Sequence, residues 1–119
     1  MIELIVRQRC TDCGECVKVC PTNVFDWVEG RAVITRQSDC QTCFLCELYC
    51  TADALYVAPS AEHATPVSEA ELEATGLLGE YRRYSGWHEW HDTHPNLFWR
   101  QGELFARART GAAPPPATE

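Results

Sequence analysis

The stretch CTDCGECVKVCP, residues 10–21, is answered thirty residues later by CQTCFLCELYCT, residues 40–51. The cysteines fall at Cys10, Cys13, Cys16 and Cys20 and again at Cys40, Cys43, Cys46 and Cys50, and these eight are all the chain has. The likeness runs past them, since CPTNVF (20–25) lies over CTADAL (50–55), each leading into an apolar stretch. Each half therefore reads as a cysteine loop, a short helix and a strand.

Compartment decides how such cysteines are read. No apolar run approaches the roughly 18 residues of a membrane-crossing helix, so no membrane span is expected. MIELIVRQRC has too short an apolar stretch for a secretory signal and no cleavage-like site. A cytoplasmic chain is therefore expected, and in that compartment closely spaced thiols more often bind metal than pair as disulfides. Seventeen acidic against 10 basic residues, a formal charge of -7, argue against nucleic-acid binding, which draws on Lys and Arg to neutralise phosphates. At 119 residues the chain has room for one domain, or one small domain plus an extension.

Alternation and chain breakers give the coarse structure. IELIV (2–6) predicts a first strand, VFDWV and RAVIT predict a hairpin turned at Glu29 and Gly30, and ALYVA (54–58) closes the second half. GECVKVC and FLCELYC are each long enough for about two helical turns, the first stopped by Pro21.

Two residues between successive cysteines let three thiolates of one loop converge on a compact core. The fourth follows after three residues, on the helix, and points away from it. Residues 1–60 thereby resemble the bacterial-type ferredoxins with two 4Fe-4S clusters, in which the fourth cysteine of each CxxCxxCxxxCP motif serves the other cluster. The resemblance implies an α+β, pseudo-twofold ferredoxin fold of two small sheets and two short helices, followed by an extended, mostly irregular tail. It also implies the ligands: Cys10, Cys13, Cys16 and Cys50 for cluster I, and Cys40, Cys43, Cys46 and Cys20 for cluster II. Thr51 stands where the family usually has proline; because proline ligates nothing, this questions the local turn and not cluster II.

Two zinc ions on the same thiolates are the competing reading, although zinc modules usually pair two separate CxxC knuckles across a longer gap. Clusters that only staple a small core are another. Thr11, Asp12, Gly14 and Glu15 frame the first loop, whereas Gln41, Thr42, Phe44 and Leu45 frame the second. Drier surroundings disfavour adding negative charge, so unequal potentials are expected, with cluster II the lower.

Residues 61–110 are expected to form an extension. Its linker PSAEHATP (59–66) leads to one short helix capped by Ser68 and Glu71, stapled by Val67 and Leu72, and ended by Gly76 or Gly79. Seven of the twelve aromatics follow: Tyr81, Tyr84, Trp87, Trp90, Phe98, Trp99 and Phe105, interleaved with Arg82, Arg83 and Arg100. Aromatics and arginine are enriched at interface hot spots, so the Tyr81–Phe105 segment predicts a partner surface; a tail folded back over the cluster domain is the alternative. His88, His91 and His94 invite a metal reading, but three-residue steps rotate them around a helix and Pro95 breaks regularity, which favours hydrogen bonding across an interface. Residues 111–119, rich in Pro and Ala, should be disordered.

A ferredoxin domain with a long aromatic tail, including GWHEWHDTHPNLFWR (86–100), is similar in architecture to the iron-sulfur subunits of adenylylsulfate reductase and related flavoenzymes. That likeness implies a heterodimer with an FAD-containing catalytic subunit, FAD lying in the partner and not in this chain, and an external electron donor or acceptor. Three functions are distinguished: an electron-transfer subunit of a flavoenzyme, a free diffusible ferredoxin, and a zinc-binding interaction module. No catalytic residue is assigned, since neither a nucleophile-base arrangement nor a phosphate-cradling glycine loop is present.

Overall fold

The computed structural model describes residues 1–110; the expected disorder of 111–119 lies outside the described residues. Four strands and two short helices build the repeat region: β1 (Ile2–Ile5), α1 (Glu15–Val19), β2 (Phe25–Val28), β3 (Arg31–Ile34), α2 (Leu45–Tyr49) and β4 (Leu55–Val57). β2 and β3 pair antiparallel from Phe25↔Ile34 to Val28↔Arg31. The two turn residues, Glu29 at φ 50° and Gly30 at φ 82°, supply the two positive angles that match a tight turn to strand twist.

The second sheet is not a hairpin. β1 pairs antiparallel with β4, Ile5 opposite Leu55 and Ile2 opposite Val57, so the start of the first repeat is closed by the end of the second. Both helices are five residues long, shorter than the expected two turns, because Cys20 and Cys50 already adopt extended backbone as their C-caps.

The thirty-residue repeat is written into the backbone. Non-glycine residues rarely take positive φ, yet Asp12 and Thr42 (59° and 57°) and Asn23 and Asp53 (58° and 52°) do so in matched pairs. Gly14 at 79° is matched by Phe44 at 63°, each immediately before its helix. Glycine is free to adopt this angle; a phenylalanine there is held by its surroundings.

Successive strand residues face opposite sides, and β4 uses both. Leu55 and Val57 join Ile2, Ile5, Val24, Phe25 and Phe44 in one core, while Tyr56 joins Val6, Leu72, Leu77, Leu78 and Leu104 in a second. The extension supplies most of the second core, which corrects the expectation of a mostly irregular tail with one short helix. It carries three: α3 (Glu69–Thr75), α4 (Glu80–Ser85) and α5 (Gln101–Thr110). α3 has the capping box of Ser68 and Glu71 and ends at Gly76, in left-handed conformation at φ 67°. α4 lies between Gly79 and Gly86, both left-handed, and α5 buries Leu104 and Arg107. The short apolar spacings of these two helices are weak signals alone; burial against Tyr56 and Phe44 makes them helical.

Two arginines lock the extension down. Arg82 is 1% exposed, donates to the Leu48 carbonyl at 2.9 Å and clasps Glu89 with both terminal nitrogens. Arg107 donates to Glu80 at 2.7 Å. No helix among the described residues is long and apolar enough to cross a membrane.

Candidate metal centre

The walls of two cavities in the repeat region divide the eight cysteines evenly. The first, about 370 Å³, is lined by Cys10, Cys13, Cys16 and Cys50, with Ile5, Ala32 and Leu55 as apolar wall. The second, about 300 Å³, is lined by Cys20, Cys40, Cys43 and Cys46, with Ile2, Val24 and Val57. Each cavity thus gathers the first three cysteines of one repeat and the fourth of the other. The fourth stands just past its helix in extended backbone and not on the helix as expected; Cys16 and Cys46, the third of each set, are the ones within α1 and α2. The exchange follows from chain geometry: α1 and α2 pack together, and each fourth cysteine leaves its helix end in extended backbone.

The fourth cysteines are held alike. The Val24 N–H donates to the Cys20 sulfur at 3.4 Å, and the Ala54 N–H, thirty residues on, donates to the Cys50 sulfur at 3.3 Å. Cys40 accepts from Ile2 and Thr42 N–H groups at 3.3 and 3.4 Å. Such donors stabilise negative charge on sulfur and tune a bound metal group.

Burial sets the opposite demand. It pushes the Cys16 thiol up to about 11 and raises Cys46 and Cys50 as well, Glu47 adding to the rise at Cys46. For Cys20 burial also acts upward, but backbone donors at Val24, Thr22 and Asn23 and the Thr22 hydroxyl overcome it and lower the value. Thiolates in these cavities thus call for a cationic partner, whose binding would release their protons.

Among the described residues no three Cys, His, Asp or Glu side chains come together as one metal ion would require. The four thiols of each set stand around a cavity, a donor set that fits a polynuclear iron-sulfur group with all-thiolate ligation. His88, His91 and His94 each set Nδ1 beside a chain neighbour: Glu89 at 3.0 Å, Asp92 at 3.1 Å and the Thr93 hydroxyl at 2.9 Å.

The surroundings of the two cavities differ. Cys13 and Cys43 are both exposed, but Cys46 is buried while its counterpart Cys16 is only half-buried. Phe44, in the wall of the second cavity, stacks on Tyr81 at 4.3 Å and on Phe105 at 5.4 Å, and Tyr81 meets Phe98 at 5.1 Å. Tyr81, Phe98 and Phe105 thereby serve contacts within the chain. Trp87 meets Tyr49 edge-on at 5.6 Å and stays partly exposed, and Trp99 is 79% exposed.

Two features near the site escaped the sequence pattern. Glu47 is buried, its carboxyl accepting from the Val57 N–H at 2.7 Å, and burial pushes it up to about 8. Its place beside Cys46 on a two-turn motif gave no sign of this. Trp27 lies over Gly14 of the first cysteine loop; the repeat could have shown it, because the counterpart of Trp27 is the buried Val57.

Comparison with known proteins places the cysteine repeats in an iron-sulfur domain family. Residues 2–51 match the family model of the 4Fe-4S dicluster domain. A ferredoxin from Methanothermococcus thermolithotrophicus is 37% identical over 46 residues, 39% of this chain and 77% of the relative. An uncharacterised ferredoxin from Methanocaldococcus jannaschii is 40% identical over 48 residues, 40% of this chain and 77% of the relative. No solved structure gives a significant match. The chain belongs to the ferredoxins, with its 4Fe-4S dicluster domain in the cysteine repeats. These matches cover about two fifths of it and leave the extension without a counterpart.

Proposed function

We propose that the chain is an electron-transfer protein whose two cavities each hold a 4Fe-4S cluster, cluster I on Cys10, Cys13, Cys16 and Cys50 and cluster II on Cys20, Cys40, Cys43 and Cys46. The observation that carries this reading is the even division of cysteines between two cavities, each completed from the other repeat. Bound there, each cluster would supply reversible one-electron chemistry. The protein's part is to hold eight sulfurs in place, direct N–H donors at Cys20, Cys40 and Cys50, and line the cavities with apolar side chains that limit water.

The finer reading makes this chain the iron-sulfur subunit of an oxidoreductase, passing electrons to or from a catalytic partner that carries FAD. The outward Trp87 and Trp99 and the exposed edge of Tyr49 support it, since large exposed aromatics mark interaction surfaces. A freely diffusing ferredoxin is the second reading, favoured by the burial of Arg82 and Leu104 and the stacking of Tyr81 and Phe105 on the chain's own core.

Co-purification under anaerobic conditions tests both levels. Two clusters per chain, with a stoichiometric protein showing a flavin spectrum, are expected. A chain that carries the clusters and elutes alone removes the subunit reading; a chain without iron removes the electron-transfer reading.

A further inference from the structure

The repeat makes the two halves comparable face by face, and among the described residues only one of those faces is covered. In the second repeat, Phe44, Glu47 and Val57 line a small cavity closed by Tyr81, Leu104 and Phe105 of the extension, and the Leu48 carbonyl is taken by Arg82. Subtracting thirty from those four positions gives Gly14, Val17, Trp27 and Lys18. These four, with Asp12 and Cys13, line an open groove of about 520 Å³. No residue of the extension lines it. Trp27 is 49% exposed there, although a tryptophan on a two-stranded hairpin would gain from being covered.

We propose that this open face of the first repeat is the docking site for the basic surface of a redox-protein partner. On the second repeat the equivalent face, with different side chains at all four positions, takes aromatic rings and a guanidinium, Tyr81, Phe105 and Arg82. Charge points the same way. Asp12 and Lys18 line the groove and Glu15 stands 3.8 Å from Lys18, so the three sum to one negative charge, in a chain of formal charge -7. A basic surface would be steered toward it. The groove also includes the exposed Cys13, so a protein seated on it lies against a sulfur of the first cavity. The inference rests on the electron-transfer reading only for the kind of partner.

Oxidised cytochrome c, a basic haem protein, serves as the probe, with the cluster-loaded full chain kept anaerobic. Hydrogen exchange with and without the probe reads where it binds, and calorimetry reads how tightly. Expected are protection over residues 12–18 and 25–28, affinity that falls with added salt, about tenfold weaker binding for Trp27→Ala, and tighter binding for Lys18→Glu. His63→Ala, in the exposed linker, should bind as the parent chain does, and an unchanged visible spectrum verifies that each variant is loaded. Protection over the extension instead, equal affinity for Trp27→Ala and parent, or protection of 12–18 by raised chain concentration alone overturns the proposal, the last by revealing a second copy as the occupant. Protection is read without electron transfer. If it appears at the groove and the reduced chain fails to reduce the probe, the electron-transfer reading fails and the docking site stands.

Discussion

The ring of Phe44 stacks on that of Tyr81 with centroids 4.3 Å apart and planes 19° from parallel. The contact joins the second cysteine loop to the extension, at a position where the first loop has Gly14. It explains how a phenylalanine is kept at φ 63°, an angle that costs a bulky residue of the order of 1–2 kcal/mol.

Removing either ring separates these effects. Tyr81→Ala should lower stability by about 2 kcal/mol, while Tyr81→Phe, which keeps the stack, should cost little. Phe44→Gly loses the same stack but relieves the backbone angle, so its loss should be smaller than that of Phe44→Ala. Anaerobic denaturant unfolding of the loaded variants measures the order; equal losses for Phe44→Gly and Phe44→Ala would remove the strain account.

Unequal cavities should give unequal potentials. Cys46 is buried and Phe44 is roofed by Tyr81 and Phe105, so added negative charge in the second cavity meets less water. A redox titration followed by electron paramagnetic resonance should place cluster II below cluster I, and Tyr81→Ala should raise cluster II alone. Coincident potentials in the parent chain, or equal shifts of both in the variant, would contradict this.

Much of this was legible in the sequence and some was not. The cysteine sets, the Glu29–Gly30 turn and the Ser68–Glu71 capping box are local signals, each fixed by residues close in the chain, and the structure has the turn and the cap where they were expected. The pairing of β1 with β4, the helicity of α4 and α5 and the burial of Arg82 depend on contacts between residues far apart, which no local pattern encodes. Arg82 in particular reads in sequence as an interface arginine because aromatic neighbours accompany either use. Its partners, the Leu48 carbonyl and Glu89, decide between them.

Arg82 anchors the extension through a charge that has little water. Arg82→Ala leaves the Leu48 carbonyl without its donor and should cost about 3 kcal/mol. Arg82→Lys should recover only part, since an ammonium cannot reproduce the two-pronged grip on Glu89. Thermal unfolding of the three loaded proteins checks the order; a lysine variant as stable as the parent would show that charge alone suffices.

The same pair sets an acid limit. The hydrogen bonds from Arg82 hold Glu89 down at about 2, against an ordinary 4.5. A depressed carboxyl stabilises the fold fully above its unfolded value, and the contribution is lost as pH falls from about 4.5 through about 2. Glu89→Gln should therefore flatten the stability profile across that window, judged by hydrogen exchange over residues 80–90. An unchanged slope would place the acid sensitivity elsewhere.

Crossed assignment of cysteines makes distant substitutions act alike. Cys50→Ser should disturb the same cluster as Cys10→Ser, and Cys20→Ser the same cluster as Cys40→Ser, although the members of each pair come from different repeats. Resonance spectra of the four variants sort them. Pairing by repeat, with Cys20 grouping with Cys10, would break the assignment.

Anomalous diffraction at the iron edge, from crystals of anaerobically prepared chain, tests the central claim most directly. Two separate iron peaks are expected, one surrounded by Cys10, Cys13, Cys16 and Cys50 and the other by Cys20, Cys40, Cys43 and Cys46. Cavities without iron signal, or peaks at the zinc edge in their place, would contradict the account.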